Sequence, residues 1–474
     1  MSDDFLIMLT YDLKTEKNSK IPLYKELYEK IKADIFENRL KPNEKLPSKR
    51  TLSENLKIST ITVENSYNQL LSEGLIYSKE KKGYFVSEIN NFSKVNIVQK
   101  KISIPEKKEK NYDFDFSSNN SESRNFPFSI WAKLSRKVLS ENQEEVLKVS
   151  PGEGIFELRK AICNHLSNFR GMNVDEKQII IGAGTEYLYG ILIKLLGREK
   201  TYCIENPGWT KLQKIYESNG VKCVSANLDE NGIKVDEIKA QKADIAHISA
   251  NHHFPTGITM PPSRRYELLA WANESENRYI IEDDYDSEFR QKGRPVSPLF
   301  NIDAFEKVIF INTFSKSLSP TIRIAYMVLS EHLAKKFYEE LSFFSCTVST
   351  FEQYTLSAFI SEGYFEKHIN RMRLYYGRKR EKVLEILNKN FSKDECNIIE
   401  NDSGLHLVLE LKSSLSDSQL KKSLEEKSIK ISTIQDYSLK KEGKNNSHQF
   451  ILNYSNINLE KLEKAVKILK EIVF

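Results

Sequence analysis

A lysine between two serines, followed seven positions later by an arginine, stands in KVIFINTFSKSLSPTIRIAYMVL. Lys316 falls in a small-residue turn between two apolar, strand-like runs, with Arg323 close behind. Burial beside such strands removes the water that stabilises an ammonium, and with a nearby cation this lowers the pKa, which suits the amine to Schiff-base formation. Three further stretches carry chemistry. QIIIGAGTEYLYGILIKLL runs β-branched residues into Gly182, Ala183, Gly184 and Thr185 and then into an apolar helix, and a glycine turn at a helix N-terminus offers amides and a positive dipole end to a phosphate. ENPGWTK sets Trp209 after a Pro-Gly turn, where its ring could stack on a flat ligand. NRYIIEDDYDSEF ends the run Tyr279 to Ile281 in crowded carboxylates, at the strand end where open α/β sheets bind ligands. Acids so close together repel one another and favour a cationic partner.

Each stretch alone has an ordinary reading: a solvated lysine, a common strand-to-helix turn, a core tryptophan, an acidic loop. Together they share the chemistry of pyridoxal phosphate. That cofactor needs an amine for its aldehyde, a carboxylate to keep its pyridine nitrogen protonated, a ring to stack on, and amides plus a cation for its phosphate. Lys316, Asp283, Trp209, and the Gly184/Thr185 turn with Arg323 supply these in turn.

The elements that must position these groups begin at DFDFSSNNSESRNFPFSIW, after which apolar strands alternate with helices to the end. This predicts an α/β domain with a mostly parallel sheet. A chain of 474 residues exceeds what one core usually organises, so at least two domains are expected. With 39% apolar and 29% charged residues the composition excludes wholesale disorder. No run approaches about 18 apolar residues, and acids precede the short apolar run in MSDDFLIMLTYDLK, so neither a membrane span nor a secretory leader is expected and the cytoplasm is the expected compartment. Cys163, Cys203, Cys223, Cys346 and Cys396 are odd in number, widely spaced and never paired as CxxC, which argues against a disulfide framework and a zinc site; no metal is expected.

Charge singles out the N-terminal part. Between Lys20 and Tyr84, 13 Lys and Arg stand against 9 Asp and Glu, an excess of +4 out of +5 for the chain. Contact with a polyanion fits this, a solvated basic face being the ordinary alternative. IPLYKELYEKIKADIFENRL spaces Leu23, Leu27, Ile31, Ile35 and Phe36 as an amphipathic helix, Pro42 and Asn43 break it, and Ser48 can cap a second helix, KRTLSENL. After Lys57 and Ile58, Ser59 can cap a third, TITVENSYNQLLSEGL, with Val63, Tyr67, Leu70 and Leu71 on one face. Two helices about such a turn make a helix-turn-helix whose second helix can enter the major groove. LIYSKEKKGYFVS alternates like a hairpin with Lys79, Lys81 and Lys82 around Gly83, a wing able to lie along phosphates. The lysine-rich, aperiodic EINNFSKVNIVQKKISIPEKKEKN reads as a solvated linker. The expected division is 1–87 for the DNA-binding domain, 88–112 for the linker and 113–474 for the second domain, with a small C-terminal α+β subdomain from about residue 350.

Pro22 to Val86 resembles the GntR-type winged helix-turn-helix in its PLY start, in Leu46, Pro47, Ser48 and Arg50, in Ile58, Ser59, Thr62 and Val63, in the Tyr67-to-Gly74 helix end and in the GYFV wing. The resemblance implies double-stranded operator DNA as partner, faced by Ser48, Arg50, Ser59, Thr60 and Thr62, with Lys81, Lys82 and Gly83 in or beside the minor groove. Relatives often carry Arg where Thr60 stands, and some where Glu64 stands. Guanine reading by bidentate Arg is therefore expected to give way to phosphate contacts and dimer spacing.

The second domain resembles the fold-type I aminotransferases, and the joined architecture resembles the MocR/GabR-like regulators over nearly the whole chain. Matching stretches are FPFSIW, GIFELRKAICNHLSNFRGM, ENPGW, HHFPTG, EDDYDSEFR, SKSLSPTIR and SGLHL. The resemblance implies pyridoxal phosphate joined to Lys316 as an internal aldimine, Asp283 on its pyridinium nitrogen, Tyr285 on its phenolic oxygen, and Phe254 where many enzymes keep an asparagine for that oxygen. It implies Trp209 stacked on the ring, and Ala183, Gly184, Thr185, Thr313, Ser315 and Arg323 around the phosphate. It also implies a homodimer with the DNA-binding module of one chain packed over the large domain of the other. Val149 replaces the tyrosine that a partner subunit often contributes to the phosphate. Lys211, the candidate effector residue, stands where a relative holds a carboxylate with arginine, and no Arg follows Arg380. The leading expectation is a transcription regulator whose large domain senses pyridoxal phosphate, or an amino compound joined to it, instead of turning over substrate. The alternatives are an aminotransferase with an accessory DNA-binding head, and a monitor of vitamin B6 supply with free pyridoxal phosphate as effector.

Overall fold

The computed structural model describes residues 11, 13, 22–88, 110–117, 125–290, 296–399, 404–439 and 447–474. The chain divides into two compact units, Met1–Lys108 and Glu109–Phe474. Most of the lysine-rich segment expected as a linker lies outside the described residues, as does Ser403 of SGLHL.

The first unit holds helices Leu23–Phe36, Lys49–Leu56 and Thr60–Ser72 and a hairpin of Ile76–Lys79 with Gly83–Val86, paired Ile76 to Val86 through Lys79 to Gly83. Leu27, Ile31, Leu52, Val63, Tyr67 and Leu70 lie on the inward helix faces and are fully buried in one core. Phe36, counted on the first helix's apolar face, is instead 43% exposed. Ile35 takes the core position, and the next residue round the helix points elsewhere. Ser48 Oγ accepts the Thr51 N–H and Ser59 Oγ the Thr62 N–H, both at 3.1 Å, so both serines cap helices. Lys57, left-handed at φ 53°, ends the middle helix, and the Tyr67 hydroxyl ties the last helix to the turn through the Pro47 carbonyl at 3.0 Å. The wing reverses through Lys81 at φ 57° and Gly83 at φ 104°.

In the second unit eight strands form one sheet, in the order Ile179–Gly182, Ala325–Val328, Val308–Thr313, Tyr279–Asp283, Ile245–Ile248, Thr201–Asn206, Lys222–Asp229, Gly232–Ile233. The strands from Val308–Thr313 to Lys222–Asp229 are parallel, while Ala325–Val328 runs against both neighbours and Gly232–Ile233 against its one. Ile180, Ile309, Ile311 and Met327 join the core on one face, and Ile179, Ile181, Phe310 and Val328 that on the other. Alternating residues are thus apolar on both sides, because helices cover both faces. A second sheet, Cys396–Ile399, His406–Lys412, Ser447–Asn453 and Ser432–Thr433, is antiparallel and packs on Tyr364–Asn390, Asp417–Glu426 and Leu459–Val473. Phe114–Asp115 pairs with Ile429–Lys430 and Phe116 enters this core, so the start of the unit packs with its C-terminal subdomain. Sequence reading offered no sign of that pairing. No helix among the described residues is long and apolar enough to cross a membrane.

Candidate functional site

The parallel strands of the large sheet deliver their carboxyl ends to a cavity of about 420 Å³. Glu205, His247, Asp283 and Thr313 reach it from strand termini, and Lys316 and Arg323 from the segment after Val308–Thr313. Of the expected cofactor residues, Thr185, Trp209, Phe254, Asp283, Tyr285, Thr313, Ser315, Lys316 and Arg323 line this one space.

The acids of the motif face different surroundings. Glu282 turns into the protein and accepts the N–H groups of Leu299 and Phe300 at 2.8 and 3.1 Å. Asp284 is ion-paired with Arg170, with both side chains almost wholly buried. Asp286 sits 2.8 Å from His252 Nδ1, and Glu288 accepts from Asn312 at 3.2 Å. Asp283 faces the cavity: the Tyr189 hydroxyl donates to its Oδ2, and His247 Nε2 lies 3.6 Å from the same oxygen. Its Oδ1 is buried and has no hydrogen-bond partner. Tyr189, fully buried, has its phenol pushed well above the ordinary range, first by burial and then by the Asp283 charge, so it remains a donor. Asp283 lines the cavity, and a carboxylate held by a donor on one oxygen and unpartnered on the other has the capacity to pair with a protonated ring nitrogen.

Lys316 lies in the single turn Phe314–Ser317, capped by Thr313 Oγ1, which accepts the Ser315 N–H at 3.2 Å. Its ammonium is brought down to about 8 by burial, while Asp286 pulls the other way. Desolvation acts as expected from the sequence, but the charge that acts on the lysine is an acid and not the expected cation. Tyr285 Oη lies 3.3 Å from His252 Nδ1, and burial keeps its phenol far above the ordinary range.

At the far end of the cavity Arg323, at φ 50°, lays its guanidinium against Gly184. A Cβ on Gly184, itself at φ 88°, would fall 2.4 Å from Arg323 Nη2, so any other residue there is strained and must push the guanidinium aside. With the hydroxyls of Thr185, Thr313 and Ser315 alongside, this cradle fits a phosphate. Two expected amide donors are engaged otherwise. Ala183 is not in the lining and donates to Thr347 Oγ1 at 3.0 Å, and the Gly184 N–H donates to the Gly182 carbonyl at 2.8 Å. Both N–H groups are thus engaged within the protein.

Trp209, 37% exposed, lines the cavity. Lys211 does not: it is ion-paired with Glu186, with its ammonium 5.8 Å from the Trp209 ring centre. The carboxylate-holding role considered for Lys211 thus meets an acid already in place. Phe254 packs edge-on against Tyr437 at 4.9 Å and His406 at 5.5 Å, an apolar wall that Ile451 and Phe116 extend. Sequence reading missed Tyr189, His247 and Glu205. Tyr189 had one signal, its position one turn after Thr185 on the helix leaving the glycine turn. Glu205, buried in the lining, accepts the Ser249 N–H at 2.9 Å and faces His253 Nε2 at 3.5 Å, and burial pushes its carboxyl up to about 8.

In the first unit Ser48, Arg50, Ser59, Thr60, Lys81 and Lys82 are exposed, while Thr62 and Gly83 are half-buried. Arg50 pairs with Glu54 at 3.0 Å, and Lys49 holds Glu64.

Residues 113–469 match the aminotransferase class I and II family, and residues 23–86 match the bacterial regulatory proteins of the gntR family. Fold and site therefore define a DNA-binding transcription regulator whose large unit has an aminotransferase fold. The chain is 37% identical to the HTH-type transcriptional regulator YdeL of Bacillus subtilis (strain 168), over 87% of this chain and 89% of that one. It is 30% identical to the probable rhizopine catabolism regulatory protein MocR of Rhizobium meliloti, over 86% and 85%. In structure it is similar to the multiple substrate aminotransferase of Thermococcus profundus, with a TM-score of 0.67 at 22% identity over 77% of this chain and 92% of that one. It belongs to the MocR/GabR-like subfamily of GntR-type regulators.

Proposed function

We propose that the large unit holds pyridoxal phosphate on Lys316 and uses it to report pyridoxal phosphate, or an amino compound joined to it, to the DNA-binding unit. The observation that carries this is that Asp283, one of whose oxygens has no partner, lines the same cavity as a desolvated lysine and a glycine-seated arginine. Bound there, the cofactor supplies an aldehyde that takes up primary amines. The chain's own residues do the rest. Asp283, steadied by Tyr189 and faced by His247, would keep a proton on the ring nitrogen; Arg323, Thr185, Thr313 and Ser315 would anchor the phosphate; Trp209 would cover the ring and Tyr285 donate to its oxygen. Regulation then requires that ligand bind two arrangements of the protein with different affinity. Residues 1–87 act as the DNA-binding domain, 88–112 as linker and 113–474 as effector domain, in a cytoplasmic homodimer with exchanged DNA-binding modules.

Free pyridoxal phosphate as effector is the second reading. It is favoured by the Lys211–Glu186 pair and the apolar wall at Ile451, which oppose a carboxylate-bearing ligand. The test titrates apoprotein with the cofactor and then with amino acids and amines, following visible absorbance, borohydride trapping and affinity for DNA. The proposal requires a band that Lys316→Ala abolishes. Many turnovers with an amino acid and a keto acid would establish the enzyme reading instead.

A further inference from the structure

The helix Thr60–Ser72 opens on Thr60, Ile61 and Thr62, and among the described large apolar side chains of the first unit only Phe36 and Ile61 are exposed. Ile61 is the more open, at 69%. Single exposed apolar residues are commonplace on proteins, but this one stands in the first turn of the helix that such a module lays into the major groove. The hydroxyl groups in its own turn are engaged within the protein. Ser59 Oγ accepts the Thr62 N–H at 3.1 Å and lies 2.8 Å from the Thr62 hydroxyl, and the Thr60 hydroxyl lies 3.2 Å from that of Ser53. The nearest cations on the preceding helix hold acids, Lys49 with Glu64 and Arg50 with Glu54. The first turn itself therefore extends a branched aliphatic side chain outward.

In the major groove one base carries an apolar mark, the 5-methyl group of thymine. We propose that Ile61 reads a thymine in each operator half-site through that methyl group, so that base selection at this position rests on apolar contact where a hydrogen-bonding side chain would otherwise act. The two-fold symmetry of a dimeric reader would repeat the contact once per half-site. A cytosine at this position presents no methyl group and sets a polar amino group nearby, so it is rejected.

The test uses the full-length protein and a duplex selected by that protein from a random library. Each thymine is replaced singly by deoxyuridine, which deletes the methyl group and nothing else. Wild-type protein is expected to lose about fourfold in affinity, the weight of one buried methyl group, at one thymine per half-site. Ile61→Ala should bind the parent duplex more weakly and be indifferent to the same replacement, and 5-methylcytosine should recover part of what cytosine loses. Because the deoxyuridine scan is made on the wild-type protein, it stands whether or not the variant folds. The proposal is overturned if no thymine-to-deoxyuridine change affects the wild type, or if folded Ile61→Ala keeps the wild-type response to it.

Discussion

Raising the pH should switch on cofactor capture near pH 8, not near the value of an ordinary lysine. Burial brings the Lys316 ammonium from 10.5 to about 8. At pH 7 about one Lys316 in ten is then a neutral amine, against about one ordinary lysine in three thousand, a ratio of roughly 300. Among the groups around it Glu205, in the same cavity and itself pushed up to about 8 by burial, titrates in the same range. His406 and His253 are held down to about 3 by burial and stay neutral, and Tyr285 stays protonated. Asp286 alone raises the Lys316 value among its named causes, so Asp286→Asn should move the step to lower pH. The assay is stopped-flow mixing of apoprotein with pyridoxal phosphate from pH 6 to 10, each rate divided by that of Nα-acetyl-lysine so that the cofactor's own titration cancels. The ratio should be near its low-pH ceiling at pH 7 and fall above pH 8. A flat ratio across the range would refute the desolvated lysine. Stability carries the same signature. With the folded value depressed, the folded protein binds fewer protons than the unfolded chain between about pH 8 and 10.5, so wild type should gain stability relative to Lys316→Met across that window, with the penalty complete below it.

Gly184→Ala puts a Cβ 2.4 Å from the Arg323 guanidinium at φ 88°; equilibrium dialysis should show cofactor affinity down roughly tenfold or more as a charge-assisted contact is displaced, and undiminished affinity would dissociate Arg323 from the phosphate. Arg170→Met strips the partner from buried Asp284 and should cost roughly 3–5 kcal/mol in denaturant unfolding, with Asp284→Asn added to it recovering part; a loss under about 1 kcal/mol would mean the pair is hydrated. Lys81→Ala and Lys82→Ala at the exposed wing should each reduce the slope of log affinity against log salt by about 1, without changing sequence preference. An unchanged slope would take the wing off the phosphates.

Much of the site was legible because its chemistry is written locally. Lys316 between serines, Arg323 beyond it, the Gly184 turn and the carboxylates after Tyr279–Ile281 are each a residue type at a recognisable place in a strand or turn, and Lys316, Arg323 and, of the carboxylates, Asp283 line one cavity. Ser48 and Ser59 likewise announced helix starts by type alone, and both cap. The misreadings are contacts across long separations. The partners of Asp283 come from Tyr189 and His247, 94 and 36 positions away in the chain. Lys211 looked available for a ligand until Glu186, 25 positions earlier, proved to hold it.

By itself, then, the sequence determined the two modules, the order of their elements and the identity of several of the polar groups that line the cavity of the large unit, since these follow from residue type, spacing and hydrophobic period. The tertiary structure alone decided that Asp283 faces the cavity while Glu282, Asp284, Asp286 and Glu288 turn to other partners, and that the segment at Phe114–Phe116 joins the C-terminal core. Strand period places Asp283 and Asp284 on opposite faces, but which face is the cavity is set by the helices and loops that close over the sheet.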